Sequence, residues 1–209
     1  FGHRSHANKF ADFVQTMCPT RMKTSERLVT QDQKSNIFNF KYAFSIEIAP
    51  ICREDLLCLP SKLSKNMGGL GPIVLCQKIN NKIYFLDPTN LQQGEVTANV
   101  YWKHSFVTLM DIRRLVEVTV LDVEMLDDDE NPHYHGGDHH HHHHQASMFS
   151  FKNHRLAEVQ LVRSEEMGGD DDIIYVRSHL GNVLNPGDSV LCYDLKNGAY
   201  NETEMRELK

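Results

Sequence analysis

The sequence predicts a mostly β fold, in which a short α+β opening precedes two strand-rich modules of small-barrel type. Three observations carry this. Over residues 38–48 large apolar residues alternate with small or polar ones, the period of a strand with one covered face. Brief apolar runs then follow, separated by tight turns and not by helices, as in a barrel. From Leu115 the same style of brief runs begins again.

Over residues 7–18, Phe10, Phe13, Val14 and Met17 stand at i, i+3, i+4 and i+7, one face of a helix that Pro19 helps to stop. This stripe is expected in the core. In the next strand Phe38, Phe40, Tyr42, Phe44, Ile46 and Ile48 share one side, and burying them at roughly 1.5 to 3 kcal/mol each would make it a main stabiliser. Pro50 and Pro60 bracket "ICREDLLCL", and "SKLSKNM" predicts a short helical piece before the glycine-rich "GGLGP". A hairpin is expected from Ile73 to Ile79 and Lys82 to Leu86, with Asn80 and Asn81 at positive φ in a primed turn. "LDPTN" marks another turn, and "EVTANVYW" a further strand.

The strands of the second module are "LVEVTVLDVEML", "RLAEVQLVR", "IIYVRSHL" and the end of "HLGNVLNPGDSVLCYDL". In the last of these, Asn185, Pro186, Gly187 and Asp188 suit a type II turn, with Pro fixing φ and Gly accepting a positive one. Such a turn mismatches strand twist in a two-residue hairpin, so it is expected to steer the chain round a barrel corner. Between the first two strands, the acidic, His-rich stretch 127–147 is polar and aperiodic, and is predicted to be a disordered loop.

A hydrophobic fraction of 40% and a charged fraction of 24% are enough to bury a core. No apolar run approaches the roughly 18 residues of a membrane-spanning helix, and "FGHRSHANKF" lacks the apolar stretch of a signal peptide, so no membrane partner is expected. The first residue is Phe, which points to a piece of a longer protein. Cys18, Cys52, Cys58, Cys76 and Cys192 are odd in number, irregularly spaced and form no CxxC pair. They read as reduced core residues of a cytosolic or nuclear protein, without a zinc knuckle.

The net charge of −6 hides an asymmetry: residues 1–65 hold 10 Lys+Arg and 6 Asp+Glu, whereas residues 127–209 hold 7 and 16. One end is cationic. His133, His135 and the six histidines from 139 to 144 lie beside Asp127, Asp128, Asp129 and Asp138. A flexible tract has no preformed geometry, so no metal site is assigned. Taken as an EF-hand from Asp127, the tract places Pro132 at the sixth position, where glycine is needed. Gly68, Gly69 and Gly71 fit no phosphate loop, GxSxG is absent, and paired carboxylates occur only in acidic runs. No catalytic residue is assigned, and an enzyme is not indicated.

What remains is the cationic first third. Arg4, Lys9, Arg21, Lys23, Arg27, Lys34 and Lys41 are interspersed with Ser, Thr, Asn and Gln, the side chains that commonly meet phosphates, and are candidate RNA-binding residues. Trp102, with Lys103 beside it, suits either base stacking or packing at a barrel rim, and packing is favoured.

Several blocks in order carry a resemblance: "ERLVTQDQKSNIFNFKYAFSIEIAPICREDLLCLPSKLSKNMGGLGPIVLCQKI", "IYFLDPTNLQ", "VYWKHSF" and "HLGNVLNPGDSVLCYDL". They resemble the eukaryotic adaptor family for nuclear export of the large ribosomal subunit, originally named for nonsense-mediated decay. The similarity runs from near Phe1 to about Asp194, interrupted by the His-rich loop. It implies that residues 1–49 are the end of an α+β ribosomal-protein-like domain, 50–108 an SH3-like barrel and 109–200 an OB-like barrel.

The implied function is a non-enzymatic adaptor that shuttles between nucleus and cytoplasm. It would bind the pre-ribosomal large subunit in its tRNA-site region, contacting ribosomal RNA and ribosomal proteins, for nuclear export and late maturation. In that family zinc is held by amino-terminal cysteine pairs, and the exportin is recruited through a leucine-rich signal near the carboxyl terminus. Neither feature is in this sequence, so no cofactor is expected here, and exportin binding is expected outside this piece. No lysine equivalent to the modified one of the similar translation factor five-A is identified. The alternative is a protein-protein scaffold that grips ribosomal proteins or release factors with little direct RNA binding.

Overall fold

The computed structural model describes residues 2–32, 34–68, 70–126, 154–163 and 173–197. The His-rich loop expected over 127–147 lies outside the described residues. No helix among the described residues is long and apolar enough to cross a membrane.

Helix α1, Arg4–Met17, leads into a long antiparallel hairpin of β1, Thr20–Asp32, and β2, Ile37–Ile48. Strand β1 has no counterpart in the sequence prediction. Its residues mix polar and apolar without a clear period, and it becomes a strand because β2 offers a ladder along its whole length. The expected core stripe of α1 is not in the core: Phe10, Phe13 and Met17 are 49%, 59% and 58% exposed. The helix instead turns its small residues inward. Ala11 is buried, Ala7 and Val14 are half-buried, and the Arg4 guanidinium lies 4.3 Å from the Tyr42 ring centroid.

The six large side chains of β2 do not reach the burial expected of them either. Phe38, Phe40 and Ile48 are exposed, and Tyr42, Phe44 and Ile46 are half-buried. The reason is dimensional. A helix of 14 residues is about 21 Å long, whereas a strand of 12 residues spans about 40 Å, so one helix covers only part of a two-stranded ribbon.

The first barrel is one antiparallel sheet in the order β6-β5-β4-β3-β7. Its strands are β3, Leu56–Cys58, β4, Ile73–Ile79, β5, Lys82–Leu86, β6, Gln93–Thr97, and β7, Thr108–Met110. Helix α2, Ser61–Asn66, follows β3 as expected. The β4–β5 hairpin has the predicted bounds but another turn: neither Asn80 nor Asn81 has positive φ. The Asn80 side chain accepts the Lys82 N–H at 2.9 Å, and this local bond replaces the primed geometry. The strand expected from "EVTANVYW" stops at Thr97, and Ala98–Lys103 form helix α3. The helical turn carries Tyr101 into the core, where its hydroxyl donates to the Phe106 carbonyl at 3.0 Å and its ring meets that of Phe106 at 5.1 Å.

Buried carboxylates tie down the loops of this barrel. Asp87 accepts the Gly71 N–H at 2.8 Å and both the N–H and the hydroxyl of Thr89, at 2.9 and 2.6 Å. Asp55 accepts the Cys52 N–H at 2.8 Å and the Thr108 hydroxyl at 2.9 Å, so β7 is fastened to the segment before β3. The expected division at 108/109 thus falls inside β7, whose pairing with β3 belongs to the first barrel.

The second barrel orders its strands β10-β9-β8-β11. They are β8, Leu115–Met125, β9, Ala157–Arg163, β10, Ile174–Ser178, and β11, Ser189–Tyr193. Val118, Val120, Ala157, Val159 and Leu161 fill its core. The rigid corner behaves as predicted: Gly187 has φ +94°, and the Asp188 N–H returns to the Asn185 carbonyl at 3.1 Å. It is also stitched to β8, with Gly187 donating to Val120 O at 2.8 Å and Val120 donating to Asp188 O at 2.9 Å. The barrels meet where Tyr193 packs on Leu56, Cys58, Leu109 and Met110 and donates its hydroxyl to the Glu54 carbonyl at 2.7 Å.

Two glycines separate conformational from steric need. A Cβ at Gly187 meets nothing within 4 Å, so Gly187→Ala is expected to cost only the strain of positive φ, about 1 kcal/mol. At Gly181 it would lie 2.8 Å from the Ala157 Cβ and 2.9 Å from the Arg155 carbonyl, so Gly181→Ala should cost about 1 to 3 kcal/mol. Urea unfolding of both variants gives the order, and the reverse order contradicts this assignment.

Burial, with the His154 imidazole 5.3 Å away as the lesser cause, holds His179 down at about 4. In the unfolded chain it titrates near the ordinary value of 6.5. The unfolded state therefore takes the proton first, and this contribution is complete above pH 6.5 and lost as pH falls towards 4, by at most about 3 kcal/mol. Melting curves across that window should show the decline in the wild type and a flatter profile in His179→Gln.

Candidate nucleic-acid interface

Antiparallel register decides which cations of the first third share a surface. Arg21 pairs with Glu47, Lys23 with Ser45, Ser25 with Ala43 and Arg27 with Lys41. Paired residues project to the same side of a ribbon and alternate along it, so these eight residues line one face. Beyond a register shift at Val29, Thr30 pairs with Asn39, two residues from Lys41 and so on the same face. The opposite face carries Met22, Thr24, Glu26 and Leu28 with Phe40, Tyr42, Phe44 and Ile46, and receives α1.

The rung of Arg27 and Lys41 places two cations directly opposite each other. Both are exposed, and like charges so placed destabilise a strand pair. Lys23, exposed on the same face, lies four residues from Arg27, about 13 Å along the strand. Lys23, Arg27 and Lys41 form no ion pair among the described residues. Ser25, Ser45, Thr30 and Asn39 add neutral hydrogen-bonding groups between them. This arrangement suits a polyanion that tracks the ribbon.

The other sequence candidates are placed differently. The Nε and Nη2 of Arg21 donate to Glu47 Oε2 at 3.1 and 2.6 Å, and its guanidinium lies 4.8 Å from the Trp102 ring centroid. Trp102 is half-buried, with Tyr101 edge-on at 5.1 Å and its own Nε1 buried without a hydrogen-bond partner. Lys103 is exposed at the end of α3. Arg4 and Lys9 are on α1, on the far side of the ribbon from Lys23, and Lys34 is exposed at the turn joining β1 to β2. Alternation along the second strand already sets Asn39, Lys41 and Ser45 on one face, but sequence reasoning did not find the pairing partner Glu47, because its relevance depends on register.

Three of the cysteines sit where burial disfavours the thiolate. Burial, with Asp55 and Cys52 adding to it, pushes the Cys76 thiol up to about 12, and burial also raises Cys18 and Cys192. All five are free. Among the described residues no group of three or more His, Cys, Asp and Glu is arranged to hold a metal ion.

Lys41→Glu turns the like-charge rung into an opposite-charge one. It is expected to stabilise the hairpin by about 0.2 to 1 kcal/mol at low salt, with the gain fading as salt rises. Thermal unfolding at two ionic strengths measures this, and a loss of stability at low salt would show that the two cations are not opposed.

Three domain models of one family match successive parts of the chain. "NMD3, second domain" matches residues 1–48, "NMD3 SH3 domain" residues 51–99 and "NMD3 OB-fold domain" residues 115–209. The 60S ribosomal export protein NMD3 of Dictyostelium discoideum is 36% identical over 209 residues, covering 100% of this chain and 36% of its own length. The protein of that name in Saccharomyces cerevisiae is 37% identical over 201 residues, or 96% of this chain and 35% of its own length. The Homo sapiens protein is 34% identical over 208 residues, or 100% and 39%. The chain therefore spans little more than a third of the length of these relatives.

Proposed function

From the premise that this chain belongs to the NMD3 family, we propose that it is the docking core of a non-enzymatic adaptor for export of the large ribosomal subunit. In this reading the SH3-like and OB-like barrels form a preshaped body, and the β1–β2 hairpin lays its cationic face against ribosomal RNA. Ribosomal proteins are the further partners. The complex travels from nucleus to cytoplasm, and an exportin is engaged by parts of the family's chain beyond this one. Its relatives' name, 60S ribosomal export protein, supports the subunit as cargo. Zinc is not assigned to this chain, whose cysteines include no CxxC pair and lie in or near the barrel cores at Cys58, Cys76 and Cys192.

The observation that carries the RNA contact is the opposed pair Arg27 and Lys41. A fold that keeps two cations on one rung accepts a cost that a phosphate between them removes. Phosphate contacts of this kind release counterions, so affinity falls linearly with salt on logarithmic axes. Lys23→Glu, Arg27→Glu and Lys41→Glu should each weaken filter binding of purified large ribosomal subunits and flatten that slope, by about 0.7 to 0.9 for each phosphate that is no longer neutralised. A triple variant that binds with the wild-type slope rules these contacts out.

The stripe of Phe10, Phe13 and Met17, exposed on α1, favours a second reading in which proteins supply most of the contact. Association that survives RNase treatment of the particle supports that reading, and release on treatment supports the first.

A further inference from the structure

We propose that Arg21 is a positioning residue, which holds the cationic face of the hairpin at a set angle to the SH3-like barrel and is not itself a phosphate ligand. This rests on the RNA-docking role of that face. The guanidinium is committed on two sides. Two of its N–H groups go to the Glu47 carboxylate across the ribbon, and its Cζ lies over the ring of Trp102, which belongs to α3 of the barrel. Tyr101, edge-on to Trp102, is buried and meets Phe106 edge-on in the barrel core. A continuous line of contact thus runs from the second rung of the hairpin into the centre of the barrel.

The lever arm gives this contact its importance. The hairpin enters the barrel at the rung of Thr20 and Ile48, below which Ala49 donates to the Pro19 carbonyl at 3.0 Å, and Ala49 and Ile51 sit in the barrel core. Backbone at that point is a pivot. The rung of Arg27 and Lys41 lies six residues above the Arg21 rung, about 20 Å, so a tilt of about 10° displaces its charges by 3 to 4 Å, more than a hydrogen-bond length. An exposed ion pair contributes little to stability, but one side chain that bonds to the ribbon and stacks on the barrel removes the tilt. Arginine meets both demands because its planar fork bonds at the edge while its face stacks, which an ammonium group cannot do.

Opposite charge changes on the two partners separate positioning from direct contact. Arg21→Gln and Glu47→Gln are each expected to weaken binding of purified large ribosomal subunits about three- to tenfold with an unchanged salt slope. Both should raise acrylamide quenching of Trp102, the chain's single tryptophan, and Arg21→Lys should not restore binding. If Arg21 contacts phosphate, Arg21→Gln lowers the slope by about one unit, and Glu47→Gln, by freeing the guanidinium, leaves binding unchanged or tighter; that result overturns the proposal. Full affinity in both variants while Lys41→Glu still weakens binding overturns the positioning role alone. If Lys41→Glu has no effect either, the cationic-face reading falls together with it.

Discussion

A two-stranded ribbon cannot bury both of its faces, and the arrangement of this molecule follows from that constraint. An isolated hairpin is marginal in water, whatever its sequence. Here the ribbon of β1 and β2 is secured at one end, where Pro19 is buried and Ala49 and Ile51 enter the core of the first barrel, and along part of one face by α1. Its other face, met by α3 only near Arg21, is open beyond that point and carries the cations. The barrel can serve as an anchor because its own loops are held from inside. Asp87 and Asp55 bind backbone and hydroxyl groups that a five-stranded sheet of short strands would otherwise leave loose.

The same barrel carries the second one. Tyr193 brings β11 against Leu56, Cys58, Leu109 and Met110, and its hydroxyl bonds to the backbone at Glu54. Burial first, and then the carboxylates of Asp55, Asp111 and Glu54, push its phenol up to about 12, so it keeps its proton and acts only as a donor at the junction. Hairpin, first barrel and second barrel are thereby joined by side chains as well as by the chain path. A binding surface spread over several modules needs such joints, because each loose one adds an ordering cost on association.

Stability and binding make opposing demands on the hairpin. A ribbon selected only to be stable would set opposite charges across each rung, as it does at Arg21 and Glu47. The rung of Arg27 and Lys41 departs from that rule on an exposed face, where no packing requirement explains it. Local departures from consistent design are where function is expected to be found.

Much of the architecture was legible in the linear order of residues. Period-two alternation located β2, brief apolar runs between turn residues gave the bounds of β4 and β5 and the strands of the second barrel, and Pro186 with Gly187 gave the corner its turn type. These are local properties, since alternation and allowed φ are written into neighbouring residues. The burial of β2 and the α1 stripe, the turn at Asn80, the helix at Ala98–Lys103 and the existence of β1 were not legible. Each depends on what lies opposite, or on how far a helix reaches. The basic character of the first third was visible from composition alone, yet which cations share a face, and which one is committed to Trp102, depends on strand register and on where α3 meets the hairpin. Shifting β1 by one residue would exchange its two faces with composition unchanged, and for that reason only the tertiary structure could decide it.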